Sequence, residues 1–283
     1  MTHRFKDIAV FFDTSETGLR VLDRAVSLAS AQQGHLIALT SAMPDESVPA
    51  ASFARGSAIQ EVISRRSASA AARLLKAGQS LARIAAEHGV GDVEFRIIAP
   101  TESAGETMLH MLHCDLLVIG EHAPPGAPAS WSLDHVLERV GVPVLILPDG
   151  WSGPSVGQRI TVAWNASRQA RRAVADAMPL LAGAQEVHLL IVDAHSQDED
   201  VHGEEPGADT AAYLAHHGAH VELQRIESHG LPIAEAIKEQ ALRNQADLLV
   251  FGAYSHSRMR EAVFGGTTRT LLSGTPLPLF VSH

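Results

Sequence analysis

Short apolar runs recur along the chain, each bounded by polar or turn-forming residues. They predict strands near 7–12, 35–41, 93–98, 115–119 and 143–147, then 159–164, 186–192, 219–225, 247–251 and 278–282. Between them the apolar positions take a helical period, over Glu16–Gln33, Ser57–His88, Ser167–Gly183 and Ile233–Asn244. Strands that are apolar throughout are buried on both faces, and helices between them make βαβ units with a parallel sheet. The pattern predicts an α/β protein built from two doubly wound, five-stranded parallel-sheet domains.

Two domains follow from a repeat. Asp7 to Ala42 aligns without gaps, at an offset of 152, with Arg159 to Ala194; CDLLVIG at 114–120 matches ADLLVFG at 246–252, and VPVLILP at 142–148 matches LPLFVSH at 277–283. The domains are therefore 1–148 and 159–283, related by a pseudo-twofold, with DGWSGPSVGQ at 149–158 as an exposed linker. In such a sheet a ligand binds beyond the carboxyl ends of the strands, where the strand order reverses, which brings together the loops after the first and fourth strands of each half. The last strand of each half is short, apolar and edge-like, and an exposed apolar edge is a pairing hazard. Ser57–His88 has no counterpart of equal length; its apolar positions Ile59, Val62, Ile63, Leu74, Leu75, Leu81 and Ile84 suit packing on its own sheet or on a partner.

Composition narrows the function classes. Of the 283 residues, 22 are basic and 32 acidic, and the net charge of −10 argues against a general binder of nucleic acid or of anionic membranes. With no signal-peptide pattern and no long apolar run, the expected location is the cytoplasm. Cys114, the single cysteine, adjoins the apolar DLLVIG and reads as a buried, inert thiol. The 16 histidines are densest in His110-x-x-His113-Cys114 and in His216-His217-x-x-His220, but Gly218 breaks the second group and neither makes a rigid ligand set, so no metal is expected.

The chemistry concentrates in Phe251–Leu272, FGAYSHSRMREAVFGGTTRTLL. Gly252 follows a strand directly, and Gly265 and Gly266 precede Thr267, Thr268 and the start of a short helix, whose free N–H groups favour an anion. Arg258, Arg260 and Arg269 against Glu261 give a local charge of +2 in a protein of −10. A phosphate-bearing ligand fits these residues, although glycines that only make turns and arginines that only face solvent would look the same. None of Lys6, Lys76 and Lys238 follows a glycine, so GxxxxGK[ST] is absent, as are GxGxxG, GxSxG and HExxH. His256 and Ser257 are neighbours on one loop and define no triad, so dedicated catalysis has no support.

The duplicated pattern, the Asp or Asn closing the first strand of each half, and the glycine spacing after the fourth strand resemble the universal stress protein family in its tandem form, with its adenine nucleotide alpha hydrolase-like fold, over Asp7 to His283. The resemblance implies a stress-response regulator binding ATP, possibly with Mg2+, or a related adenine nucleotide, at most a slow ATPase, with the closing strands of its two halves paired within the chain and a possible homodimer through edge strands or helices. It places the adenine end at Asn165 and the close of the second strand near Val192. The phosphate loop falls on Gly252, Ser255, Gly265, Gly266, Thr267 and Thr268, with His256 and Arg258 nearby. Ser255 stands where the family has glycine, Gly266 where it has a hydroxyl, and Asn165 where it has an acid. The first half keeps Asp13 and Ser15, but its loop after Gly120, EHAPPGAPASWSLDH, has three prolines and the acids Glu121 and Asp134, so no nucleotide is expected there. The rival expectation is a nucleotide-free scaffold or chaperone-like stress protein with both crevices vestigial.

Overall fold

The computed structural model describes residues 4–41, 57–99, 102–123, 127, 131, 133–194, 205–253 and 266–283. The chain divides into two compact units, Lys6–Val140 and Gly141–His283, the latter joined by the residues that precede Lys6.

In the first unit the elements run β1 (Asp7–Phe11), α1 (Glu16–Gln32), β2 (His35–Ser41), α2 (Ser57–Glu87), β3 (Val93–Ile98), α3 (Ala104–Leu109), β4 (Leu116–Gly120) and α4 (Leu133–Arg139). Its strands lie in the order β3-β2-β1-β4, all parallel. The second unit runs β5 (Val144–Leu147), β6 (Arg159–Ala163), α5 (Arg168–Asp176), α6 (Met178–Leu181), β7 (Glu186–Val192), α7 (Ala208–His216), β8 (Val221–Ile226), α8 (Ile233–Arg243), β9 (Leu248–Gly252), α9 (Gly266–Leu272) and β10 (Leu279–Ser282). Here the order is β5-β10-β9-β6-β7-β8, parallel except that β5 runs antiparallel to β10, Leu279 facing Ile146 and Val281 facing Val144.

The repeat assigned β5 to the first half, 1–148, whereas packing assigns it to the second unit. The reason is the pairing expected of the closing strands: β10 offers a free edge, and β5 fills it within the chain. All ten predicted strands are present, shifted at their ends by no more than a residue or two. Of the helices, the predicted 167–183 stretch breaks at Ala177, because Pro179 has no N–H to donate and opens a new short helix instead. Among the described side chains of α2, the buried ones run from Ala77 to Ala85 and include Leu81 and Ile84; Ile63 and Leu75, read as packing positions, are exposed.

Repeated sequence makes repeated local structure. Ser15 caps α1 by accepting from the Gly18 N–H at 2.9 Å, and Ser167 caps α5 by accepting from Ala170 at 3.1 Å. Two residues before each cap, Asp13 and Asn165 accept the cap's own N–H. The Asp of the repeated (C/A)DLLV(I/F)G motif also has one role twice. Asp115 Oδ2 accepts the N–H groups of Lys6 and Asp7 at 2.6 and 3.1 Å, and Asp247 accepts those of Gly157, Gln158 and Arg159, each at 3.0 Å, with the Ser155 hydroxyl at 3.2 Å. Each carboxylate thereby fixes the start of the first strand of its half beside the fourth.

Cys114 is buried as expected, its thiol donating to the Met111 carbonyl at 3.0 Å, and burial pushes its pKa up to about 12. The reactive thiolate is therefore scarce at neutral pH. The native protein is expected to resist iodoacetamide and to be labelled only on denaturation; rapid stoichiometric labelling under native conditions contradicts this.

Candidate functional site

In the second unit β6 has β7 on one side and β9 on the other, so the strand order reverses at β6. Three of the residues singled out by sequence stand at this carboxyl edge: Asn165 just past β6, Val192 at the end of β7, and Gly252 at the end of β9. Asn165 is exposed; its Oδ1 accepts from Ser167 N at 3.3 Å, and among the described residues its amide NH2 has no partner. Val192 is buried and registers with Ile226 in the ladder.

Gly252 is constrained by the protein itself. A Cβ there would stand 2.5 Å from the Gln169 carbonyl oxygen, and closer still to the Gln169 carbonyl carbon and the Ala170 nitrogen. The first turn of α5 thus rests on the end of β9 at a distance that only glycine permits. Gly266 is the opposite case: among the described residues no atom lies within 4 Å of an added Cβ. It opens α9, where Gly266 and Thr267 are exposed and Thr268 is buried, so the hydroxyl of Thr268 serves packing more than access. Ser255, His256, Arg258 and Gly265 lie outside the described residues.

Sequence reasoning missed Asp193. It follows Val192 with a left-handed φ of 53°, rare for a residue other than glycine, and its Oδ1 accepts the Ser228 N–H at 2.6 Å. That backbone bond, and then the Ser228 hydroxyl, hold the Asp193 carboxyl below its usual range, so it stays ionised at neutral pH. An acid directly after the second strand was the signal available in the sequence.

The first unit presents a different edge. Asp13 Oδ1 accepts both the N–H and the hydroxyl of Ser15, and a Cβ on Gly18 would stand 2.7 and 2.8 Å from the Asp13 backbone O and N and closer to Oδ1. The turn after β1 is pressed onto α1. The second half has Ala170 at the position of Gly18, so the Asn165 turn stands off further. Beside it Trp131, from the loop after β4, is 2% exposed and packs on Phe11 at the end of β1, with ring centroids 4.3 Å apart. An indole therefore occupies the carboxyl end of β1.

The model of the universal stress protein family matches residues 4–148 and again 157–283. A universal stress protein from Archaeoglobus fulgidus DSM 4304 is 17% identical at a TM-score of 0.66, covering 98% of this chain and 95% of that one. A functionally unknown protein from Pseudomonas aeruginosa PAO1 is 18% identical at a TM-score of 0.59, covering 98% and 92%. At these identities the two structures speak for the fold. No curated protein sequence matches the chain.

Proposed function

The chain belongs to the universal stress protein family through both of its halves, and from that premise we propose that the second half binds ATP, possibly with Mg2+, or a related adenine nucleotide, as part of a stress-response regulator. The observation that carries the reading is the reversal of strand order at β6, which gathers Asn165, the end of β7 and the end of β9 at one edge of the sheet. Asn165 offers its amide NH2 to an acceptor on the adenine ring, in place of the family's acid. The Gly-rich segment with Arg258 and His256 is the phosphate end of the proposal.

In this reading the protein is not a dedicated enzyme, and any ATP hydrolysis is slow and carried by a positioned water. It acts in the cytoplasm, without nucleic-acid or membrane partners; among the described residues no helix is long and apolar enough to cross a membrane. A homodimer would use other edges than β10, which is paired on both sides within the chain.

One observation favours the scaffold alternative. The packing of Gln169 and Ala170 explains Gly252 without any ligand, so this glycine does not count toward a phosphate site.

The test is calorimetric titration with Mg-ATP of the native chain and of Gly266→Glu, which adds a carboxylate at an exposed position. One site per chain, lost in the variant while its thermal unfolding is unchanged, is the expected result. Absence of heat and of thermal stabilisation in the native chain overturns the proposal in favour of a scaffold.

A further inference from the structure

At the opposite end of the same sheet, four potential metal ligands share one hollow. Strand β7 opens Glu186-Val187-His188, and the segment entering β8 reads His220-Val221-Glu222. Alternation puts the outer two residues of each triplet on one face, and the register pairs Val187 with Val221 and His188 with Glu222, so that Glu186 lies across from His220. All four line a hollow of about 450 Å³, together with Ala215 and Ala219.

His188 is the anomaly in this group. Its side chain is 9% exposed, and its Nε2 is buried without a hydrogen-bond partner among the described residues. Glu186 Oε2 stands 3.7 Å from Nε2, and Glu222 Oε2 stands 3.5 Å from Nδ1. A buried imidazole nitrogen without a partner is costly, and native structures keep few of them without a reason. Two ligands of one Zn2+, each about 2.0–2.1 Å from it, stand roughly 3.4 Å apart in a tetrahedron. The gap between Nε2 and Glu186, 3.7 Å, is slightly wider than that.

We propose that His188 Nε2, Glu186, His220 and Glu222 bind a divalent transition-metal ion, Zn2+ by its affinity for mixed imidazole and carboxylate ligands. His220 is exposed, and the side chains of Glu186 and Glu222 are 57% and 67% exposed, so in this proposal all three turn toward the fixed His188 to reach the ion. Arg159, now 3.7 Å from Glu186 Oε2, keeps its partner Gln245 when that carboxylate turns to the metal.

The support behind His188 suits this role. Gln224 contacts Nδ1 at 3.1 Å and belongs to an amide network with Gln240 and Asn244, which ends on the Thr161 hydroxyl. Turning the three amides over together preserves a donor and an acceptor at each of these contacts, and it presents Gln224 Oε1 to a proton on Nδ1. That is the arrangement a metal on Nε2 requires. It also ends the bond from Gln224 Nε2 to Glu222, leaving Glu222 to bind the ion. Spacing along the sequence hid the group, because the ligands come from two strands 34 residues apart, from His188 to Glu222.

The experiment is calorimetric titration of the chelator-treated full chain with Zn2+, alongside the visible absorption of Co2+ as a report of tetrahedral coordination. The expected result is one ion per chain at this site. His220→Ala and Glu222→Gln, both exposed and without burden on folding, should each weaken binding about 100-fold or more, and Gln224→Leu by ~10–100-fold. His216→Ala should change nothing. A chain that takes up no ion, or one whose binding ignores both His220→Ala and Glu222→Gln, overturns the proposal and leaves a water bridge between His188 and Glu186 as the account of the gap.

Discussion

Gly252→Ala is expected to destabilise the second unit by roughly 3 kcal/mol or more, the upper range for forcing extra volume into packed structure. The added methyl has nowhere to go. The obstructing atoms are backbone of the first turn of α5, held by the Ser167 cap, and they cannot swing aside as a side chain would. Gly120, at the same place in the first half, provides the control. A Cβ there would stand 3.6 Å from the His122 carbonyl oxygen and from Val21 Cγ2, which is ordinary contact. Gly120→Ala should therefore leave stability within about 1 kcal/mol of the native chain. Denaturant unfolding of both variants measures the difference. Equal, small effects would mean that Gly252 is not kept for packing, and the ligand reading of that position would regain its force.

Trp131→Ala is expected to cost about 3–5 kcal/mol, the range for emptying the site of a buried large aromatic. Trp131 is 2% exposed and lies against Phe11, itself among the largest fully buried side chains. Its loss removes both the apolar burial and the aromatic contact at the carboxyl end of β1. Thermal unfolding should show the loss in the first unit; the two units can unfold separately, so the transition is to be resolved into its components. A loss under about 1 kcal/mol would mean that the indole is not packed as described.

The two glycines illustrate how far the motif could be read from sequence. Gly120 and Gly252 occupy the same place in the repeat, each closing a run that begins Asp-Leu-Leu-Val. Only the approach of α5 to β9 makes one indispensable and leaves the other free. Of the candidate site positions read from sequence, the fold leaves Asn165 and Gly266 exposed, whereas Thr268 is taken into the packing. Trp131 and Asp193 were not legible, since their roles come from a ring across the sheet end and from a turn closed by Ser228.

By itself the sequence determined the strands, the repeat and the fold class. These depend on periodicity and on local chemistry: apolar runs that bury on both faces, serine caps, and an aspartate at a fixed place before each fourth strand. Tertiary structure decided what depends on distance between segments remote in sequence. It took β5 away from the half that encodes it and paired it with β10, because strand edges are satisfied by geometry and not by order along the chain. It filled one crevice edge with an indole, and it set Glu186, His188, His220 and Glu222 around one hollow. Contacts of this kind arise from register and packing across the sheet, which a linear pattern does not encode.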